Sequence, residues 1–174
     1  DYSTTQLMVP LGIGILFGIL LGGVCGCING ALVSKLKIQP MVATLILFTA
    51  ARAIGLLLCN NQITYIRYEP YKYLGNFIPG CPVPTAIFVT IAVIAVVTLL
   101  LKKTALGLYI QSAGINSRAA RISGINSAMI CFVCYLICGL CAGIAGMVAS
   151  SRIYSADSNN IGLNYELDAI LAVA

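Results

Sequence analysis

The 174-residue chain is 60% hydrophobic and only 9% charged, with ten Lys or Arg against five Asp or Glu, a net charge of +5, and neither His nor Trp. A soluble domain carries about 25% charged residues. Here the charges are too few to cover a water-facing surface, and the uncharged stretches 2–34, 73–101 and 122–151 each exceed the roughly 20 residues that cross a bilayer as a helix. The expected fold is all-α, a polytopic transmembrane helical bundle. The missing histidine removes the usual general base and the commonest zinc ligand, which argues against an intramembrane metalloprotease. Ten cations scattered along the chain make no nucleic-acid-binding patch.

Four complete spans are predicted. In the first, 7–33, Gly14, Gly18, Gly22, Gly26 and Gly30 recur every four residues, a smooth strip on which another helix can approach closely. Asn29 sits near its end, and a hydrogen bond between helices is its simplest role. The second span, 40–58, has nine Leu, Ile, Val or Phe. Arg52 within it costs about 3 kcal/mol near the bilayer centre, almost cancelling their contribution. Arg52 lies about 18 Å along the helix from Pro40 at 1.5 Å per residue, so it either lines a polar cavity or snorkels to the headgroups. The third span, 83–101, holds twelve such residues, worth roughly −4 to −7 kcal/mol of insertion.

The loop 102–126 follows. Asn116 is a good N-cap, Ala119 and Ala120 favour helix, and Gly124 suits the C′ position. Together they predict a two-turn helix outside the membrane, with Arg118 and Arg121 on one face, towards headgroups or an acidic partner. The fourth span, 128–149, repeats the glycine spacing at Gly139 and Gly143, with Gly146 near the same face. Cys131, Cys134, Cys138 and Cys141 run along one side of it. A single helix cannot wrap four thiolates round one ion, so they are read as small apolar groups, and no metal or cofactor is expected on this chain. Cys59 and Cys81 fall on the same side of the membrane and could pair. A fifth span begins near Tyr165, where Glu166 and Asp168 either offset the helix dipole or stand near a translocation path.

The loops alternate in charge. Those between spans one and two and between three and four carry Lys35, Lys37, Lys102, Lys103, Arg118 and Arg121 and no acid. The residues near 35 and 102–126 are therefore expected to be cytoplasmic, with 59–82 and 150–164 external. The chain starts at Asp1 rather than Met and stops within an apolar run, so a single transmembrane domain, 1–174, incomplete at both ends, is expected.

The stretch 113–125 resembles the A-x-G-x-N-x-x-A-A-x-x-S-G-I loop of permease subunits of ribose/galactose-type sugar ABC importers, within the branched-chain amino acid/ribose-type permeases. Gly26, Asn29, Gly30, Leu32 and Val33 resemble that family's G-x-x-N-G-x-L-V. Gln39-Pro40 with Thr44, Leu45 and Arg52, the P-x-P of Pro82 and Pro84, the run 139–146, and Tyr165-Glu166-Leu167-Asp168-Ala169-Ile170 follow in order. Cys138 replaces a usual Ser and Ala53 a usual Gly. Within the family the segments 103–107, 157–162 and 167–173 look closest to permeases of galactofuranose importers.

The resemblance implies a monosaccharide permease of the bacterial inner membrane working by alternating access, and not an enzyme. The implied partners are a second permease subunit (identical or not), an extracytoplasmic sugar-binding protein, and a cytoplasmic ATPase that holds ATP-Mg; this chain has no G-x-x-x-x-G-K-[ST] loop. It implies ATPase coupling through Gly114, Asn116, Ala119, Ala120, Arg121, Ser123 and Gly124, so that a bulky acid at Ala120 would abolish coupling. Arg52, Asn29, Asp157, Asn159, Asn160, Glu166 and Asp168 are candidates for the translocation pathway, although a solvated turn explains 157–160 equally well. The other class open to this sequence is a secondary transporter or channel for a small polar solute.

Overall fold

The computed structural model describes residues 11–60, 62, 64–65, 76, 84–153, 155–156, 162 and 164–173. Helix α1, Leu11–Ser34, has no charged residue, and α2 follows at Pro40–Leu58. The turn between them closes with Lys35 N–H on the Ala31 carbonyl and Lys37 in the left-handed region at φ 53°. Pro40 at the start of α2 supplies a φ already suited to helix and lacks only an N–H that would have no partner there. Thr44 and Thr49 donate their hydroxyls to carbonyls one turn back, Pro40 and Met41 for the first, Leu45 and Ile46 for the second. Such internal satisfaction is what a polar side chain in lipid needs.

A two-residue strand β1, Thr64–Tyr65, precedes α3, Thr85–Lys103, whose last turn carries Lys102 and Lys103, the favoured charge for a helix C-terminus. Then come α4, Ala105–Ile115; α5, Ser117–Ile122; α6, Ser127–Ile153; strand β2, Ser155–Ala156; and α7, Tyr165–Val173. Helices α1, α2, α3 and α6 are long and apolar enough to cross a membrane. The observed α3 is shifted two residues beyond the predicted 83–101 at both ends, because the lysine stems extend the helix while their charged heads reach outward. Helix α4 is an addition: the loop 102–126 is helical through most of its length, and the eleven residues of α4 are too few to span.

The main interhelical contact joins α1 to α6, helices not adjacent in sequence. They run antiparallel: Gly18 lies against Met147, Gly22 against Gly139 and Gly143, Gly26 against Tyr135 and Gly139, and Gly30 against Phe132. A Cβ on Gly22 would stand 2.6 Å from the Gly139 carbonyl oxygen and 2.8 Å from the Gly143 Cα; one on Gly139 would stand 2.7 Å from the Gly26 Cα. Backbone therefore meets backbone, and the predicted glycine strips form one interlocking seam. Gly14 and Gly146 are outside it, with nothing among the described residues within 4 Å. Both were expected on or near the packing face; Gly146, although it lies between Gly143 and Met147, faces away from α1.

The antiparallel seam also sorts the loops. The turn after Ser34 and the start of α6 lie at one end of the bundle, together with six of the ten cations. At the other end β1 pairs antiparallel with β2, Thr64 opposite Ala156 and Tyr65 opposite Ser155, and Ser151 and Ser155 are buried beneath. Helix α2 buries only Ala43 and α3 buries no residue. Their exposed Leu, Ile, Val and Phe side chains would be an aggregation surface in water and are at home against lipid or further helices.

The α3–α4 junction depends on Gly107, where a Cβ would collide with the Leu101 carbonyl oxygen, a backbone atom. Thr104, extended at φ −112° and ψ 157°, makes the bend, and its hydroxyl donates to the Leu100 carbonyl. Gly107→Val is expected to open this corner at a cost of about 1–3 kcal/mol. Accelerated proteolysis between α3 and α5, relative to an otherwise identical Gly114→Ala variant, would show it; Gly114 has open space around it.

Candidate functional site

The segment from α4 to the start of α6 carries the best-defined local chemistry. Asn116, extended at φ −154° and ψ 98°, accepts hydrogen bonds on its side-chain oxygen from the backbone N–H of Arg118 and Ala119 at 3.1 and 3.2 Å. That satisfies two of the N–H groups a helix start leaves open. At the far end Gly124 takes φ +82°. Gly124 N–H reaches the Arg121 carbonyl at 3.1 Å and Ile125 N–H the Ala120 carbonyl at 2.9 Å, the paired closure of a Schellman motif. Ser123 donates its hydroxyl to the Ala119 carbonyl, and Ser127 of α6 donates to the Ser117 carbonyl at 3.4 Å. A helix of six residues is marginal alone; these caps and the tie to α6 hold it.

Its faces divide cleanly. Ala120 is 4% exposed and points into the chain's own interior. Ala120, expected among the coupling residues, has a small side chain that lets α5 lie close to its neighbours. Ala119, Arg118 and Arg121 are exposed. Ile115 and Ile122 are each 88% exposed, at the ends of α4 and α5. Sequence reasoning passed over both isoleucines, since an aliphatic residue beside a span reads as membrane-facing. Beside them an open groove of about 490 Å³ runs between α4 and α6, lined by Leu106, Tyr109, Gly124, Met129 and Val133 among others.

The pathway candidates do not come together among the described residues. Arg52 lies over the ring of Phe48, one turn back on the same helix, with its guanidinium carbon 4.6 Å from the ring centroid. That cation–π contact shelters part of the charge inside a span. Asn29 has its side-chain oxygen buried with no hydrogen-bond partner among the described residues, so the expected bond between helices is not made there. Asp168 is exposed on α7. Asp157, Asn159 and Asn160 lie outside the described residues, as does the side chain of Glu166. Cys59 and the four cysteines of α6 carry free thiols, and Cys81 lies outside the described residues. No group of three or more His, Cys, Asp or Glu able to hold a metal is present among the described residues.

The family model described as branched-chain amino acid transport system / permease component matches residues 2–174. The chain is 42% identical over 171 residues to the galactofuranose transporter permease protein of Escherichia coli (strain K12), with 96% of this chain and 46% of that one covered. It is 37% identical over 166 residues to the fructose import permease protein of Bifidobacterium longum (strain NCC 2705), covering 92% and 46%. It is 34% identical over 174 residues to the ribose import permease protein of Escherichia coli (strain K12), covering 98% and 54%. No solved structure matches. The chain spans about half the length of these curated relatives. Four apolar helices and a family match running almost from end to end make this a multi-pass membrane protein that belongs to the permease components of the branched-chain amino acid transport system family.

Proposed function

We propose that the chain is part of the membrane-spanning permease subunit of an ATP-driven importer for a monosaccharide of the galactofuranose, ribose or fructose kind. The relatives named for those sugars support the substrate class. The observation that carries the mechanism is the short helix α5, capped at both ends and tied to α6. A rigid lever outside the spans, fixed to a helix inside them, can pass a push into the bundle.

In this reading the end of the bundle with Lys35, Lys37, Lys102, Lys103, Arg118 and Arg121 faces the cytoplasm, and residues 59–82 and 150–164 face outward. A separate ATPase, holding ATP and Mg, docks on Asn116–Gly124 through exposed Ala119, Arg121 and Ile122. An extracytoplasmic sugar-binding protein delivers the solute, and a second permease subunit completes the path. Alternating access follows from rocking of the other helices against the α1–α6 seam, which is too closely interlocked to slide.

The test is uptake of labelled galactofuranose, ribose and fructose into vesicles that hold the full-length protein with its ATPase and binding protein. Uptake that requires internal ATP and survives dissipation of ion gradients is expected. Uptake driven by an ion gradient without ATP would overturn the reading in favour of a secondary transporter.

A further inference from the structure

At the end of the bundle away from the six cations, the loop after α2 and the chain after α6 meet in the β1–β2 pair, Thr64 opposite Ala156 and Tyr65 opposite Ser155. Helix α6 ends at Ile153 and β2 starts at Ser155, so the strand has almost no freedom of its own relative to that helix. Ser151 and Ser155 are 0% and 6% exposed, which seats the pair on the end of α6. A free two-stranded sheet is marginal in water; this one has a support.

The other strand is on a short lead from α2. Beyond Leu58 the chain turns, with Cys59 N–H on the Gly55 carbonyl at 3.1 Å and Asn60, left-handed at φ 48°, giving its N–H to the Leu57 carbonyl at 3.3 Å. Gln62 N–H returns to the Cys59 carbonyl at 2.9 Å. From Asn60 to Thr64 the chain reaches at most about 14 Å, at roughly 3.3–3.6 Å per residue. The opposite end of α2 follows the turn that closes on Ala31, and it buries Ala43. Leu57 and Leu58, by contrast, are each 78% exposed. Whatever covers those two side chains in the full-length protein, the link to β1 is covalent and does not depend on it.

We propose that the β1–β2 pair is a clasp that stays closed throughout transport. It holds the far end of α2 to α6, as the turn after Ser34 holds its near end to α1. The glycine seam already joins α1 to α6, so the three helices move as one body. Opening of the path then falls to helices outside that body, by the rotation of rigid parts about an interface. This inference rests on the reading of the chain as an alternating-access permease, but not on the solute or the energy source.

The experiment uses the full-length protein with its ATPase and binding protein in vesicles, its native cysteines replaced by Ala. Thr64→Cys with Ala156→Cys puts two thiols at paired positions, whose Cα atoms lie about 4.5–5.5 Å apart in an antiparallel ladder, within the span of a disulfide. Copper–phenanthroline should cross-link them at the same rate with and without ATP and vanadate, and uptake should match that of the reduced protein. Spin labels at Leu57→Cys and Ile153→Cys should keep one distance in both states. Thr64→Pro with Tyr65→Pro removes whichever of the two N–H groups faces β2; the label distance should then shift or broaden by about 5 Å, one helical turn. Absence of the cross-link, a rate that depends on nucleotide, or uptake lost on oxidation and restored by reductant would overturn the clasp. So would an unchanged label distance in the proline variant. Uptake that ignores ATP but is equal in oxidised and reduced protein would overturn the ATP-driven reading while supporting the clasp.

Discussion

Replacing Gly22 or Gly139 by alanine is expected to destabilise the protein by about 1–3 kcal/mol, whereas Gly14→Ala should change it by no more than about 0.5 kcal/mol. The four-residue repeat treats these glycines alike; their surroundings do not. A Cβ on Gly22 meets the Gly139 carbonyl oxygen at 2.6 Å, and one on Gly139 meets the Gly22 carbonyl oxygen at 2.5 Å. These atoms belong to helix backbones and cannot turn aside, so the helices must separate and lose contact along the seam. Gly18 is intermediate. Its Cβ would meet the Met147 sulfur at 2.6 Å, the end of a flexible side chain that can swing away. The order of cost is therefore Gly22 and Gly139, then Gly18, then Gly14. Unfolding of the full-length protein in mixed micelles reads it directly. Equal effects at Gly14 and Gly22 would show that the seam lies elsewhere.

The same contrast explains what could be read without coordinates. Spans were legible because an uncharged run of 20 or more residues has few alternatives to crossing a bilayer. Asn116 and Gly124 were legible because capping is local: an N-cap acceptor and a left-handed C′ residue act within a few positions of themselves. Which glycines touch was not: Gly14 keeps the four-residue spacing and Gly146 lies between two seam residues, yet neither meets the partner helix. Helix α4 was hidden between Lys103 and Asn116, in a segment that charge made a loop and length barred from spanning. The burial of Ala120 depends on how α5 lies relative to α4 and α6, and no spacing rule contains that.

The burial of Ala120 changes which substitution tests energy transfer. A bulky acid at that position would place a charge at a 4% exposed site, where it lacks solvation. It would undo α5 itself, and any loss of transport would be ambiguous. Ile122→Asp is the sharper variant. Ile122 is 88% exposed and follows Arg121 at the end of α5, so its loss removes an apolar anchor without disturbing the Asn116 cap or the Gly124 closure. If the ATPase docks here, an exposed aliphatic beside an arginine fits an interface hot spot, worth roughly 2 kcal/mol or more on truncation. Sugar-stimulated ATP hydrolysis in reconstituted vesicles should then fall by about thirtyfold, with membrane insertion and melting temperature preserved. Asn116→Ala should act differently, weakening α5 by about 1 kcal/mol through the lost cap and lowering coupling only in part. Full coupling in Ile122→Asp would remove this face of α5 from the ATPase contact. Equal loss of melting temperature in Ile122→Asp and Ala120→Glu would show that Ile122 supports the fold rather than a partner.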